Sequence, residues 1–102
     1  MIYLTQLVYV KEGQEEVFHQ FEEVALPLIQ KYNGQLLLRL RPTDASYVEH
    51  HNHIDKPYEI HLVTFATDQD FSAFSQDESR KQFLHLKEQS VQAILLIQGV
   101  KL

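Results

Sequence analysis

Lys31-Tyr32-Asn33-Gly34-Gln35-Leu36-Leu37-Leu38-Arg39 decides the fold, because a helix ends and a strand begins within it. Upstream, Val17, Phe21, Val24, Leu28 and Tyr32 recur at helical spacing and predict one apolar stripe. Asn33-Gly34 stops that helix, since glycine takes the left-handed conformation at a helix end without penalty. Gln35 to Arg41 then predicts a strand, and Pro42 closes it.

Working outward, Ile2 to Val10 is rich in Tyr, Val, Ile and Thr, has no breaker, and predicts the first strand. Glu12-Gly13-Gln14 is the turn into the helix, and Glu15 and Glu16 suit the positive end of its dipole. Pro27 lies inside the helix, where its ring clashes with the carbonyl of Glu23 and predicts a kink. Thr43 to Pro57 is polar, histidine-rich and irregular; Tyr58 to Phe65 predicts the third strand. Thr67-Asp68-Gln69-Asp70 and Ser75-Gln76-Asp77-Glu78 both resemble capping boxes. They predict a short helix, a break near Ser75 and a longer helix to about Ser90, burying Phe71, Phe74, Phe83, Leu84 and Leu86. Ala93 to Leu102 predicts the last strand. The order strand, helix, strand, strand, helix, strand fills residues 1–102 as one domain. It predicts an α+β, ferredoxin-like βαββαβ fold: a four-stranded antiparallel sheet with helices on one face.

Alternation along the strands assigns two faces. Ile2, Leu4, Gln6, Val8, Leu36, Leu38, Leu40, Ile60 and Leu62 are expected under the helices. Tyr3, Thr5, Leu7, Tyr9, Leu37, Arg39, Arg41, Glu59, His61, Val63 and Phe65 are expected on the opposite face. That second face is too apolar for solvent and predicts an interface, closed by a second copy of the chain as a homodimeric barrel.

Composition narrows the partners. The chain has 102 residues, 44% hydrophobic content and a formal charge of −5, which disfavours binding to a phosphate backbone. The RNA-recognition motif shares this element order, but Lys56-Pro57-Tyr58-Glu59-Ile60-His61-Leu62-Val63 lacks its glycine and most of its aromatics. No nucleic acid is expected. The absence of cysteine removes disulfides and thiolate chemistry and fits a reducing compartment. No signal peptide or membrane span is visible, so a soluble cytoplasmic protein is expected.

With these residues in place, the chain resembles the dimeric α+β-barrel superfamily. The stretch Lys31 to Arg39 and the ending Leu95-Leu96-Ile97-Gln98-Gly99-Val100 resemble a small bacterial family of unknown function within it. The resemblance implies two four-stranded sheets facing each other with helices outside. It also implies a substrate cleft between sheet and helices, as in the cofactor-free monooxygenases and haem-degrading oxygenases of the superfamily. Some haem-degrading members use an Asn on the first strand, a Trp ending the third and a His on the second helix. Here Gln6 replaces the Asn and Phe65 the Trp, while Leu84 falls at the His position with His85 beside it. Haem chemistry is a minor alternative, and no cofactor is expected.

Several residues invite a functional reading. Glu49-His50-His51-Asn52-His53-Ile54-Asp55 could supply metal ligands through His50, His51 and His53, but the spacing matches no closed zinc signature. Solvated histidines and no metal are the preferred reading. Arg39, Glu59 and His61 are either an anion-binding or acid–base group, or a paired charge that fixes dimer geometry; the structural reading is preferred for Arg39 and Glu59. Gln6 is the polar member of an aliphatic row. It either orients a ligand or satisfies a helix carbonyl freed by Pro27. His19 and His85 are expected in solvent. A pocket, where one exists, is expected under the first helix, bordered by Gln6, Phe21 and Phe65. Two function classes follow. One is a cofactor-independent oxygenase or isomerase on a small apolar substrate, with Gln6 and His61 as catalytic candidates. The other is a non-catalytic binding or accessory dimer.

Overall fold

The structure, a computed structural model, describes residues 1–50 and 54–102. Four strands form one antiparallel sheet: β1 Ile2–Val10, β2 Gly34–Leu40, β3 Glu59–Phe65 and β4 Val91–Gly99, in the order β2-β3-β1-β4. The helices are α1 Glu15–Lys31, α2 Asp68–Ser75, α3 Glu78–Gln82 and α4 Leu84–Ser90, with a 3-10 turn at Asp44–Ser46. This is the ferredoxin-like fold that the element order predicts. Among the described residues, no helix is long and apolar enough to cross a membrane.

The helix-to-strand junction is built differently from its sequence reading. Asn33, not Gly34, is the left-handed residue, with φ of 59°. A short polar side chain tolerates that region better than most. Gly34 opens β2, and a Cβ there would lie 2.7 Å from Ile29 Cγ2 and from Phe65 Cε1. Its role is close approach, since well-packed interiors leave no room for the extra carbon.

The buried stripe of α1 is also rotated from the predicted one. Phe18, Phe21, Glu22, Ala25 and Ile29 are buried, at spacings of three and four. The helix runs on through Pro27 to Lys31. The second helical region breaks twice. Thr67 caps α2 by accepting the Asp70 amide at 3.1 Å. Asp77, rather than Ser75, caps α3 by accepting the Arg80 amide at 3.0 Å. The second break falls at Phe83, which ends α3 and precedes α4.

Strand register corrects the assignment of the two faces. Ile2, Leu4, Gln6 and Val8 stand opposite Phe65, Val63, His61 and Glu59. Because Ile2, Leu4 and Val8 are buried beneath the helices, Glu59, His61, Val63 and Phe65 are as well. Ile60 and Leu62 point the other way. In β2 an irregularity between Leu36 and Leu38 inserts one residue, so Leu36 opposes Val63 but Arg39 opposes His61. Leu36 and Arg39 therefore share the helix-covered face, and Leu38 and Leu40 share the open one. A one-residue bulge exchanges every side chain beyond it between faces.

Candidate functional site: a cavity between sheet and helices

A cavity of about 330 Å³ lies between β1, β3 and β4 on one side and the helices on the other. Its wall is mainly aromatic and aliphatic: Phe18, Phe21, Ala25 and Ile29 from α1, Phe71 and Phe74 from α2, Val63 and Phe65 from β3. Gln6, Glu22, His61, Ser75, Arg80 and Lys87 interrupt that apolar wall. Volume, apolar lining and a few convergent polar groups are the usual makings of a small-molecule site.

Behind Gln6 runs a chain of polar contacts on the helix-covered face. Arg39 grips Glu59 with two bonds, Nε to Oε1 at 2.7 Å and Nη2 to Oε2 at 2.9 Å. Arg41 donates to the same carboxylate through Nε at 2.9 Å and through Nη2. His61 Nε2 meets Glu59 Oε1 at 2.8 Å, and His61 Nδ1 meets Gln6 Nε2 at 3.2 Å. Glu59 and His61 are fully buried. Burial by itself would raise the Glu59 carboxyl, but the bonds from His61, Arg39 and Arg41 outweigh it and hold the group well below the usual carboxylate range. An ionised Glu59 can only accept, so the imidazole hydrogen sits on Nε2 and the Gln6 amide donates to Nδ1. Both ring nitrogens are thus engaged, and Gln6 keeps its carbonyl oxygen for the cavity.

This arrangement departs from two expectations. The Arg39–Glu59 pair exists, but it lies under the helices instead of across a dimer face. Gln6 bonds His61 and not a helix carbonyl near Pro27.

Three ionisable wall residues have no counterpart in the sequence reading. Glu22 is buried in the middle of the α1 stripe, and desolvation pushes its carboxyl up, with the Arg39 charge pulling the other way. Arg80, on α3, stands over the rings of Phe74 and Phe21, with centroid distances of 5.3 and 5.8 Å. Its Nη1 reaches the Ser75 carbonyl at 3.4 Å, and its buried Nε has no partner among the described residues. Lys87, on α4, has its pKa lowered by burial and by the nearby Arg80 charge. For Glu22 a signal was present: a carboxylate framed by Phe18, Phe21, Ala25 and Ile29 at helical spacing. For Arg80 and Lys87 there was none, because both look like surface charges on a broken helix.

Other candidates lie elsewhere. His19 is not simply solvated: its Nε2 meets the Tyr58 hydroxyl at 2.6 Å and the two rings stack. His50 Nε2 meets the Ile54 carbonyl oxygen at 2.8 Å, and His51 and His53 lie outside the described residues. No group of three metal-ligating side chains occurs among the described residues. His85 is exposed and neither it nor Leu84 lines the cavity, so the residues here do not fit an axial haem ligand.

The fold has well-matched counterparts among solved structures. A protein of unknown function from Rhodopseudomonas palustris superposes with a TM-score of 0.82 at 11% identity, covering 99% of this chain and 82% of that one. An uncharacterised NIPSNAP domain protein from Burkholderia xenovorans gives 0.69 at 10% identity, covering 100% of this chain and 95% of that one. A provisionally assigned antibiotic biosynthesis monooxygenase from Nitrosomonas europaea gives 0.72 at 13% identity, covering 100% and 99%. The likeness is one of fold. No protein-family model matches the chain, and no curated protein sequence does. The architecture is that of the ferredoxin-type folds shared by these proteins.

Proposed function

We propose that the chain binds a small, largely apolar organic molecule in the cavity between sheet and helices, and does so as a homodimer. The observation that carries the reading is the cavity itself: about 330 Å³ of apolar space with the Gln6 carbonyl left free to orient a guest. The homodimer rests on the uncovered sheet face, where Leu38, Leu40, Leu95 and Ile97 remain 44–51% exposed. A contiguous apolar row of that kind is rarely left to solvent.

The chemistry best supported is proton transfer without a cofactor. Glu22, desolvated and facing the cavity, can take a proton from one atom of a bound molecule and return it to another, an isomerisation that balances by itself. Gln6 would polarise or orient the substrate, and His61, with both nitrogens engaged, would position Gln6. An oxygenase reaction is supported only by the provisional assignment of one structural neighbour. A non-catalytic binding dimer has its own support in the saturated hydrogen bonding of His61, which leaves the ring no free lone pair for a substrate.

Titration calorimetry with the neutral probe 2-naphthylmethanol tests the cavity. Saturable binding to the wild type is expected, weakened in Gln6→Leu by about 1 kcal/mol for the lost hydrogen bond. A measured affinity indifferent to Gln6, or the failure of this probe and of its carboxylate counterpart alike to bind, would end this reading.

A further inference from the structure

We propose that the cavity's natural occupant is an amphipathic anion, an aromatic or aliphatic carboxylic acid whose carboxylate is received by Arg80 and Lys87. This rests on the cavity being a binding site, and adds the chemical class of what it binds.

Arg80 is the main support. Cations taken out of water are normally paired, because an unpaired one pays the full loss of hydration. Yet the Nε hydrogen of Arg80 is buried without an acceptor among the described residues, and its Nη1 has only the 3.4 Å contact with Ser75. The rings of Phe21 and Phe74 beside the guanidinium cannot accept as a carboxylate does. A guanidinium with an open donor in an apolar wall suits a carboxylate, whose two oxygens match its fork.

Lys87 supplies a second cation on the same wall, and no ion pair involves it among the described residues. Local charge agrees. The ionisable groups of the wall are Glu22, His61, Arg80 and Lys87, and the two ring nitrogens of His61 are already engaged by Glu59 and Gln6. Counted at formal charge, Arg80 and Lys87 stand on this wall against Glu22 alone, within a chain whose formal charge is −5. The carboxylates of Glu22 and Asp77 act on Arg80 at a distance, but neither bonds its guanidinium among the described residues. A monoanion offsets the excess. The aromatic wall then takes the apolar remainder of the acid.

A matched pair of probes separates this claim from the one beneath it. 2-Naphthoate and 2-naphthylmethanol share a ring system and differ in charge. Calorimetry on the wild type should give an affinity at least tenfold higher for the naphthoate. In Lys87→Gln and Arg80→Gln that ratio should fall to within about threefold. Lys87→Gln is the more secure variant, because Arg80 also packs against two rings. Equal affinities for the two probes would overturn the anion proposal and leave the cavity reading standing. A naphthoate preference that survives both substitutions would overturn it too. Failure of both probes to bind would remove the cavity reading and this proposal together.

Discussion

The two faces of this sheet are made from the same four strands and differ most in where their charges lie. The helix-covered face holds every charged group of the sheet that is buried: Glu59 at 0% exposure, with Arg39, Arg41 and His61 bonded to or through it. The uncovered face shows Leu38, Leu40, Leu62, Leu95 and Ile97 and carries no charge. The covered face also carries the apolar core of Ile2, Leu4, Val8, Val63 and Phe65, so its charges are held beside that core and away from water. The difference teaches that the covering helices do not make a simple hydrophobic core. They enclose a polar chain and a cavity, and leave an aliphatic surface on the other side of the sheet.

The strongest way to break the contrast is to charge the open face. Leu95→Glu, or Leu38→Glu, should abolish the proposed dimer, because a carboxylate buried between sheets has no partner. Sedimentation equilibrium should then read 12.0 kDa where the wild type reads twice that mass. A wild type that already sediments at 12.0 kDa at high concentration would remove the dimer altogether.

Next in size is the buried polar chain. Glu59→Leu leaves two arginines and His61 without their acceptor. Breaking a buried ion pair costs up to about 5 kcal/mol, and because Arg39 and Arg41 can turn toward solvent we expect about 2–3 kcal/mol, read from urea melts at pH 7. Glu59 has a depressed folded pKa, so its stabilisation is complete above the ordinary value of 4.5 and fades as pH falls toward the folded value. The gap between wild type and variant should therefore be smaller at pH 3 than at pH 7. A gap independent of pH would show that packing, not charge, is what Glu59 supplies.

The smallest effect sharpens the comparison from inside the cavity. Glu22 has a raised pKa, so its ionisation costs stability at neutral pH and nothing below the ordinary value of 4.5. Glu22→Gln should raise stability at pH 7 within the ~0.5–2 kcal/mol common for stabilising substitutions, and the gain should disappear at pH 4. A loss at pH 7 would mean that Arg80 and Lys87 depend on Glu22 as their counter-ion.

Much of this was legible beforehand, for physical reasons. The order of elements followed from periodicity and from breakers such as Pro42, which act locally. The phase of β3 did not, because Ile60 and Leu62 and their neighbours Val63 and Phe65 are equally apolar, so either set could face the helices. Only pairing with β1 decides, and Gln6 and its partner His61 are 55 residues apart, too far for a local signal to fix the register. The α1 stripe was misread because Glu22 sits in the middle of the true one. Gln6 stood out as a polar residue among Ile2, Leu4 and Val8, and Phe21 and Phe65 were legible as pocket candidates. Arg80 and Lys87 were not, since the two helix breaks that bring them to one wall are tertiary events.

The extra residue in β2 has a bearing on how relatives of this chain are to be sought. Leu37 works as a spacer: its presence, more than its side chain, sets which letters of the strand are read inward. A counterpart without the spacer would carry inward-facing residues one place out of step, so that leucines and arginines would be aligned with each other although they occupy different sides of the sheet. Position-by-position scoring would count such a pair as dissimilar throughout. Alignment by strand register, with one slip allowed after Leu36, would restore the correspondence.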